Sequence, residues 1–397
     1  MTKDNSTRKA FEYVAETYAR FPVVIERGQG VFLWDDQGKK YVDFTSGIAV
    51  CSLGHCNPQI VEAVKRQSDK LFHISNLYWT GPQAELARLL CTNSFADKVF
   101  FCNSGAEAVE AAIKVARKFG HDTKGSDCYE IVCLEGSFHG RTLAAITATG
   151  QPVYQRGFEP LPNGFVHVPP NDIGSLELAV GNRTAAILVE PILGEGGVRP
   201  LSEEFLKAAR QLADNHKILL MFDEIQVGMG RTGKLFAYQH TEVEPDVMCL
   251  AKALANGLPI GAMLAREEVM SHLGPGTHAS TFGGNPVACS AAIEVVKTLV
   301  ETDILDRVKE IGSYLRNRLE DLANSWSDIA EIRGMGLIQA VEFKRPLPHL
   351  ASYLLDAGFL AIVAHGRLLR LLPPFLIERE HIDMLIETLE RFRDEAK

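Results

Sequence analysis

Short apolar runs recur along this chain: Val99-Phe-Phe101, Glu130-Ile-Val-Cys-Leu134, Ala185-Ala-Ile-Leu-Val189, Ile218-Leu-Leu-Met-Phe222, Val247-Met-Cys-Leu250 and the stretch 259–264. They are apolar throughout rather than at alternate positions, as strands buried on both faces are. Helical periodicity fills most of the intervals, and strands alternating with helices build an α/β unit with a mostly parallel sheet. Such sheets bind ligands in the crevice beyond the carboxyl ends of their strands. Two runs end in a charge there: Phe222 leads into Asp223-Glu224, and Leu250 into Ala251-Lys252. A structural ion pair at a sheet edge is the plain alternative to a site, and the rest of the chain has to decide between them.

A chain of 397 residues can bury a large core, usually divided between two domains. Three parts are expected. Residues 1–57 form an N-terminal segment with an amphipathic stretch (Phe11, Val14, Tyr18) and a hairpin made by Val31-Phe-Leu-Trp34 and Tyr41-Val-Asp-Phe44. Residues 58–285 form the large α/β domain. Residues 286–397 form a smaller α+β domain, to which the N-terminal segment contributes. It opens at Asn285-Pro286, where Asn as N-cap and Pro at the first helical position start a long helix. A second helix over 304–322, strands at 336–343 and 368–372, and a helix from Arg379 complete it.

Composition narrows the function. Fifty acidic and 41 basic residues give a net charge of −9, with no basic cluster to serve nucleic acid. No apolar stretch is long enough to span a membrane, and no signal region follows the N-terminus. The eight cysteines lie mostly in apolar runs and include no C-x-x-C, so they read as reduced core residues of a cytoplasmic protein, with no metal site expected.

Further strand ends carry polar groups. Asn103-Ser104-Gly105-Ala106-Glu107 stands between a strand and a helix, where free N–H groups and the helix dipole can hold an anion. An ordinary Ser cap with Glu107 as its partner is the competing explanation. Phe138-His139-Gly140-Arg141 places an aromatic that can stack on a flat ring beside a guanidinium that can grip a carboxylate. Glu190-Pro191 is followed by Gly194-Glu195-Gly196-Gly197, then come Asp223-Glu224-Ile225-Gln226, Lys252, and Ser280-Thr281-Phe282-Gly283-Gly284-Asn285. So many polar ends on one rim favour a shared site. A lysine and an acid there suit pyridoxal phosphate, which requires an amine for its carbonyl and a carboxylate for its pyridine nitrogen. Gly228-Met-Gly230-Arg-Thr-Gly233-Lys234 imitates a phosphate loop. It fails on context, because Leu235 stands where a P-loop has Ser or Thr and no strand end immediately precedes the first glycine.

In this order the motifs resemble the class III pyridoxal-phosphate aminotransferases, most closely the branch acting on N-acetylornithine, over nearly the whole chain. The resemblance implies an aspartate-aminotransferase-type fold (fold type I), a homodimer with its active sites at the interface, and amino transfer from acetylornithine to 2-oxoglutarate, giving glutamate, in arginine biosynthesis. It implies that Lys252 bonds the cofactor and moves the proton, and that Asp223 keeps the pyridine nitrogen protonated. Gln226 would contact the ring hydroxyl, Phe138 stack on the ring, Glu224 and Ile225 lie beside it, and Gly105 and Ala106 give N–H groups to the phosphate. Thr281 would reach the phosphate from the neighbouring subunit. Arg141 with Ser280 would bind the α-carboxylate, and Glu195 would pair with Arg370 as a switch between the two donors. Ala106 stands where the family commonly has Thr, Asn57 where His is usual, and Ala255-Asn256-Gly257 where a glycine run is common. Ile48 stands near the position where ornithine enzymes carry a clamping aromatic. Succinylated substrates, ornithine and 4-aminobutyrate remain alternatives, as do another pyridoxal-phosphate reaction and a non-catalytic binding protein.

Overall fold

The computed structural model describes residues 12–395. After β1 (Ile25–Gln29), β2 (Phe32–Asp35) and β3 (Lys40–Asp43), which pair antiparallel, the chain enters the large sheet. Its strands are β4 (Lys98–Cys102), β5 (Glu130–Leu134), β6 (Phe165–Val168), β7 (Thr184–Val189), β10 (Leu219–Asp223), β11 (Val247–Leu250) and β12 (Gly261–Ala265). Two short strands, β8 (Ile192–Leu193) and β9 (Arg199–Pro200), pair with each other outside it.

The spatial order is β4-β12-β11-β10-β7-β5-β6. Pairing is parallel from β11 across to β6, so the sheet is the mostly parallel one that the apolar runs require. Every residue of β7, β10, β11 and β12 is buried, because helices cover both faces. The exception in direction is β12, which runs antiparallel to both β11 and β4. Residues 251–260 are too few for the dozen or more that a parallel crossover takes. The sheet therefore closes with a tight return, and that return carries Lys252.

Helix Pro286–Glu301 starts as its sequence dictates: Asn285 Oδ1 accepts the N–H of Ala288 at 2.9 Å, with Pro286 in the first turn. Helix Ile304–Ser325 comes next. It leads to an antiparallel sheet of β13 (Ile329–Met335), β14 (Ile338–Phe343), β16 (Ile362–Ala364) and β17 (Leu368–Leu371), in the order β13-β14-β17-β16. Between them β15 (Phe359–Leu360) lies parallel to β3, tying the C-terminal region to the N-terminal hairpin. Helix Arg379–Glu395 ends the described chain.

Some expectations need correction. Phe11 lies outside the described residues, while Val14 and Tyr18 are exposed. Neither belongs to a hydrophobic core among the described residues. Strands β6 and β13 carry too few consecutive apolar residues to stand out in the sequence. Of the cysteines, Cys102, Cys128, Cys133, Cys249 and Cys289 are buried, but Cys56 is exposed and Cys51 and Cys91 are half-buried, because these lie on loops or helix surfaces outside the sheet.

Candidate active site

The strand ends converge on a cavity of about 540 Å³. From β4 comes the start of helix Gly105–Lys124. Ser104 Oγ accepts the N–H of Glu107 at 3.2 Å, and Glu107 Oε2 accepts the N–H of Asn103 at 2.6 Å. With the cap made this way, the N–H groups of Gly105 and Ala106 have no intrahelical partner, and both residues line the cavity. Free N–H groups at a helix start can hold an anion. Gly105 is closely packed: a Cβ there would lie 2.9 Å from Ile225 Cδ1.

From β5 comes the loop bearing Phe138, His139, Gly140 and Arg141, all at the cavity. Glu190, just after β7, holds this loop by accepting the Phe138 N–H at 2.8 Å. Its other oxygen accepts the Gly194 N–H at 3.1 Å, so one buried carboxylate joins two loops of the site. Burial, with Asp223 nearby, pushes Glu190 up to about 7. Gly140 has φ +134°, and a Cβ on it would meet Ala106 Cβ at 2.8 Å, so the loop closes on the helix start only as glycine. The Arg141 guanidinium lies 3.8 Å from the Tyr154 ring centroid and is exposed. No carboxylate pairs with it among the described residues. It is a cation held in place by stacking and free to take an anion.

From β10 come Asp223, Ile225 and Gln226, and after β11 comes Lys252. Asp223 Oδ2 lies 2.7 Å from His139 Nδ1, and its Oδ1 accepts the Ile225 N–H at 3.1 Å. Burial would pull the His139 imidazole down, but the bond to Asp223 and its charge outweigh burial and raise it. Lys252 sits at φ +42° on the tight return. Burial draws its ammonium below the ordinary value, against the opposing pull of Glu195 and Asp223. A lysine so placed is more readily the neutral nucleophile. Glu195 Oε1 lies 2.5 Å from Arg370 Nη1, and Gln226 Nε2 donates to the same oxygen at 3.4 Å. Burial would raise the Glu195 carboxyl; the Arg370 charge more than reverses that, and it lies below its usual range.

Not every expected residue reaches the cavity. Arg370 stands behind Glu195, and Ser280 is one bond away, its Oγ accepting from Asn103 Nδ2 at 3.2 Å. Thr281, expected at the neighbouring subunit's site rather than this one, lies on another face, beside Asn76 and Gln83. Glu224 is a correction: its side chain is buried and turned away, accepting the N–H groups of Ala237 and Tyr238. Alternation along β10 sends Asp223 and Glu224 in opposite directions. Conversely, the sequence assigned no site role to His139, Glu190, Tyr154 or Val50. The first two lie within recognised motifs and could have been included; Tyr154 and Val50 carry no local signal.

Two buried polar atoms, His139 Nε2 and Gln226 Oε1, find no hydrogen-bond partner among the described residues. Both side chains line the cavity, as the groups of a ligand site do. A family model for class III aminotransferases matches residues 13–392. The chain belongs to the class III aminotransferases. The acetylornithine aminotransferase of Methanocaldococcus jannaschii is 46% identical over 397 residues, with 100% of each chain covered. Among solved structures, the ornithine aminotransferase of Toxoplasma gondii has a TM-score of 0.96 at 35% identity, covering 100% of this chain and 96% of its own. A structure of that enzyme has pyridoxal phosphate partially occupying its active site. The acetylornithine aminotransferase of Elizabethkingia anophelis has a TM-score of 0.87 at 35% identity, with 99% of both chains covered. This class III aminotransferase therefore has the type I fold, and its cofactor is pyridoxal phosphate. The cavity fits that group: an anion site, an aromatic, a lysine and a buried carboxylate stand around one space with unpaired polar atoms in its wall.

Proposed function

We propose that this enzyme transfers the terminal amino group of N2-acetyl-L-ornithine to 2-oxoglutarate, giving N-acetyl-L-glutamate 5-semialdehyde and L-glutamate in arginine biosynthesis. The observation that carries this reading is the contrast between two arginines. Arg141 is open, while Arg370 is neutralised by Glu195 at 2.5 Å. The reacting carbon of acetylornithine bears no carboxylate, so an arginine awaiting one would be left buried and unpaired, which is costly. Glu195 removes that cost. When glutamate or 2-oxoglutarate binds, its α-carboxylate displaces Glu195, whose glycine-flanked loop allows the movement. Arg141 serves the distal carboxylate in both cases, with Ser280 beside it. The acetylornithine enzymes that match over the full chain support the same substrate.

Pyridoxal phosphate supplies the electron sink when bound. Lys252 holds it and carries the proton to and from the substrate carbon. Asp223, oriented by His139, keeps the pyridine nitrogen protonated, because a carboxylate beside it favours the charged form. Phe138 and Ile225 would hold the ring, Gln226 would bond its hydroxyl, and the N–H groups of Gly105 and Ala106 would hold the phosphate. Metal plays no part in this scheme.

The working unit in this proposal is a homodimer. Phe72, Leu77, Tyr78, Trp79 and Phe282 form an exposed apolar face, with Trp79 94% exposed. Asn76 Nδ2 donates to Ser280 O and Gly283 O, both at 2.9 Å, so Thr281 shares that face and can reach a partner's site. We assign the parts as proposed from sequence: 1–57 and 286–397 as the small unit, 58–285 as the cofactor-binding one. No helix among the described residues is long and apolar enough to cross a membrane, which is compatible with the proposed cytoplasmic location.

Steady-state rates with acetylornithine, succinylornithine, succinyl-diaminopimelate, ornithine and 4-aminobutyrate test the substrate. Acetylornithine should lead in kcat/KM, and a preference for ornithine or 4-aminobutyrate would overturn it. Glu195→Ala should slow the acetylornithine half-reaction about tenfold or more and leave the glutamate half-reaction intact or faster; single-turnover measurements that slow equally would refute the switch.

A further inference from the structure

Beyond β3 the chain turns through Ser46, Gly47, Ile48 and Ala49, with φ of 43°, 67°, 65° and 63°. Consecutive left-handed residues are strained for L-amino acids, and a β-branched isoleucine is among the least tolerant. Such a conformation persists only where its surroundings over-determine it.

The surroundings here are explicit. Asp43 Oδ1 accepts the N–H groups of Thr45 at 2.7 Å and Ser46 at 3.0 Å. Ser46 Oγ donates to Leu372 O at 2.6 Å. Asn256, ending the turn that carries Lys252, accepts the Leu53 N–H at 2.8 Å and donates to Gly54 O at 2.9 Å. The central tie is Arg231, fully buried. Its Nη2 donates to Ser52 Oγ at 2.7 Å and Ser46 Oγ at 3.3 Å, bracketing the turn. Its Nη1 donates to Leu337 O at 3.0 Å and to Pro373 O, and its guanidinium lies 4.7 Å from the Phe375 ring centroid. No carboxylate pairs with it among the described residues. A buried cation with only neutral acceptors is an expensive device, eased here by the charge of the buried Asp43, and two of its four acceptors are the serines that flank this turn. The loop that resembles a phosphate motif therefore has another task, which is to deliver Arg231.

The turn presents Val50 at the cavity wall, with Ile48 partly exposed beside it and Ala49 packed against Ile192, Val198 and Leu372. We propose that Arg231 is a positioning residue that locks the left-handed turn Ser46–Ala49, and thereby fixes the apolar wall at Val50 against which the aliphatic chain of the amino donor lies. It touches neither substrate nor cofactor. The inference rests on the aminotransfer reading of the same cavity.

The test compares Ser46→Ala/Ser52→Ala, which unhooks the turn but keeps the guanidinium, with Arg231→Lys and Arg231→Met. The serine pair should retain the cofactor's visible absorbance while KM for acetylornithine rises about tenfold and kcat changes less than threefold. Arg231→Lys should fall between wild type and Arg231→Met. Hydrogen exchange gives a readout apart from turnover: the amides of Ile48, Ala49, Val50 and Cys51 are all bonded back to Thr45 or Ser46, and should exchange at least tenfold faster in the serine pair. Unchanged exchange with KM within twofold overturns the lock, and cofactor loss in step with turnover makes Arg231 a strut of the core instead. If Arg231→Met does not fold, the serine pair decides alone. A wild type inactive on acetylornithine would refute the substrate but not the lock, which the exchange rates still test.

Discussion

At the scale of single residues, the site works by placing charge where water is scarce. Lys252 is drawn toward its neutral form by burial, and the acids facing it limit that drift. Lys252→Ala should lower kcat at least about 10³-fold, because a positioned proton carrier alone contributes about 10²–10⁴ and the nucleophile is lost with it. The visible absorbance of the purified enzyme should disappear while circular dichroism is unchanged; retention of both band and turnover would move the role to another lysine. A second titrating residue lies outside the cavity. His55 Nε2 is 2.7 Å from the buried Asp43 carboxylate. Burial pulls the imidazole down, but the Asp43 bond and charge, with Cys51 adding to them, raise it from 6.5 to about 9. A raised value means stability fully present below about pH 6.5 and lost as pH rises through about 9. Thermal unfolding of wild type and His55→Gln should therefore differ most at pH 6 and converge by pH 10. A gap that widens with pH would reverse the assignment.

At the scale of elements, the helix Gly105–Lys124 contributes through its first turn. Its cap is complete without the N–H groups of Gly105 and Ala106, which leaves them for a ligand. Gly105→Ala would press a methyl into Ile225, 2.9 Å away, and shift that turn. Helix-start interactions with an anion are worth up to about 2 kcal/mol in partly buried geometry, so cofactor affinity should fall by about tenfold or more. Equilibrium titration of the apoenzyme with pyridoxal phosphate measures this, and unchanged affinity would remove the helix start from the phosphate site. The loop of Phe138–Arg141 is likewise held by other elements: Glu190 fixes its start, and Glu110 accepts the N–H groups of Ala144 and Ala145 just beyond it.

At the scale of the whole molecule, Leu77 and Trp79 stand in a cluster of exposed apolar side chains with Phe72, Tyr78 and Phe282. Those two side chains are 85% and 94% exposed, and singly exposed apolar residues would need no explanation, but a cluster does. In the proposed homodimer, Leu77→Ser/Trp79→Ser should convert dimers to monomers in light scattering, and activity should be lost with it if Thr281 serves the partner's phosphate as proposed. A variant that stays dimeric would place the interface elsewhere.

The chain's own chemistry determined most of the large sheet. Short uninterrupted apolar runs alternating with helical stretches read as buried strands, and the residues next along the chain from each run stand at its carboxyl end. Local rules also set the caps at Asn285 and Ser104, because backbone donors and their partners are a few residues apart. Tertiary structure alone decided the rest. β12 reverses because its return is short, and β15 crosses to β3. Glu224 turns from the cavity to cap distant N–H groups. Arg231, set in a loop that imitates a phosphate motif, becomes the tie between segments far apart in sequence. Contacts of that separation leave no periodicity or spacing to read, because their geometry exists only once the sheet and its flanking units have packed.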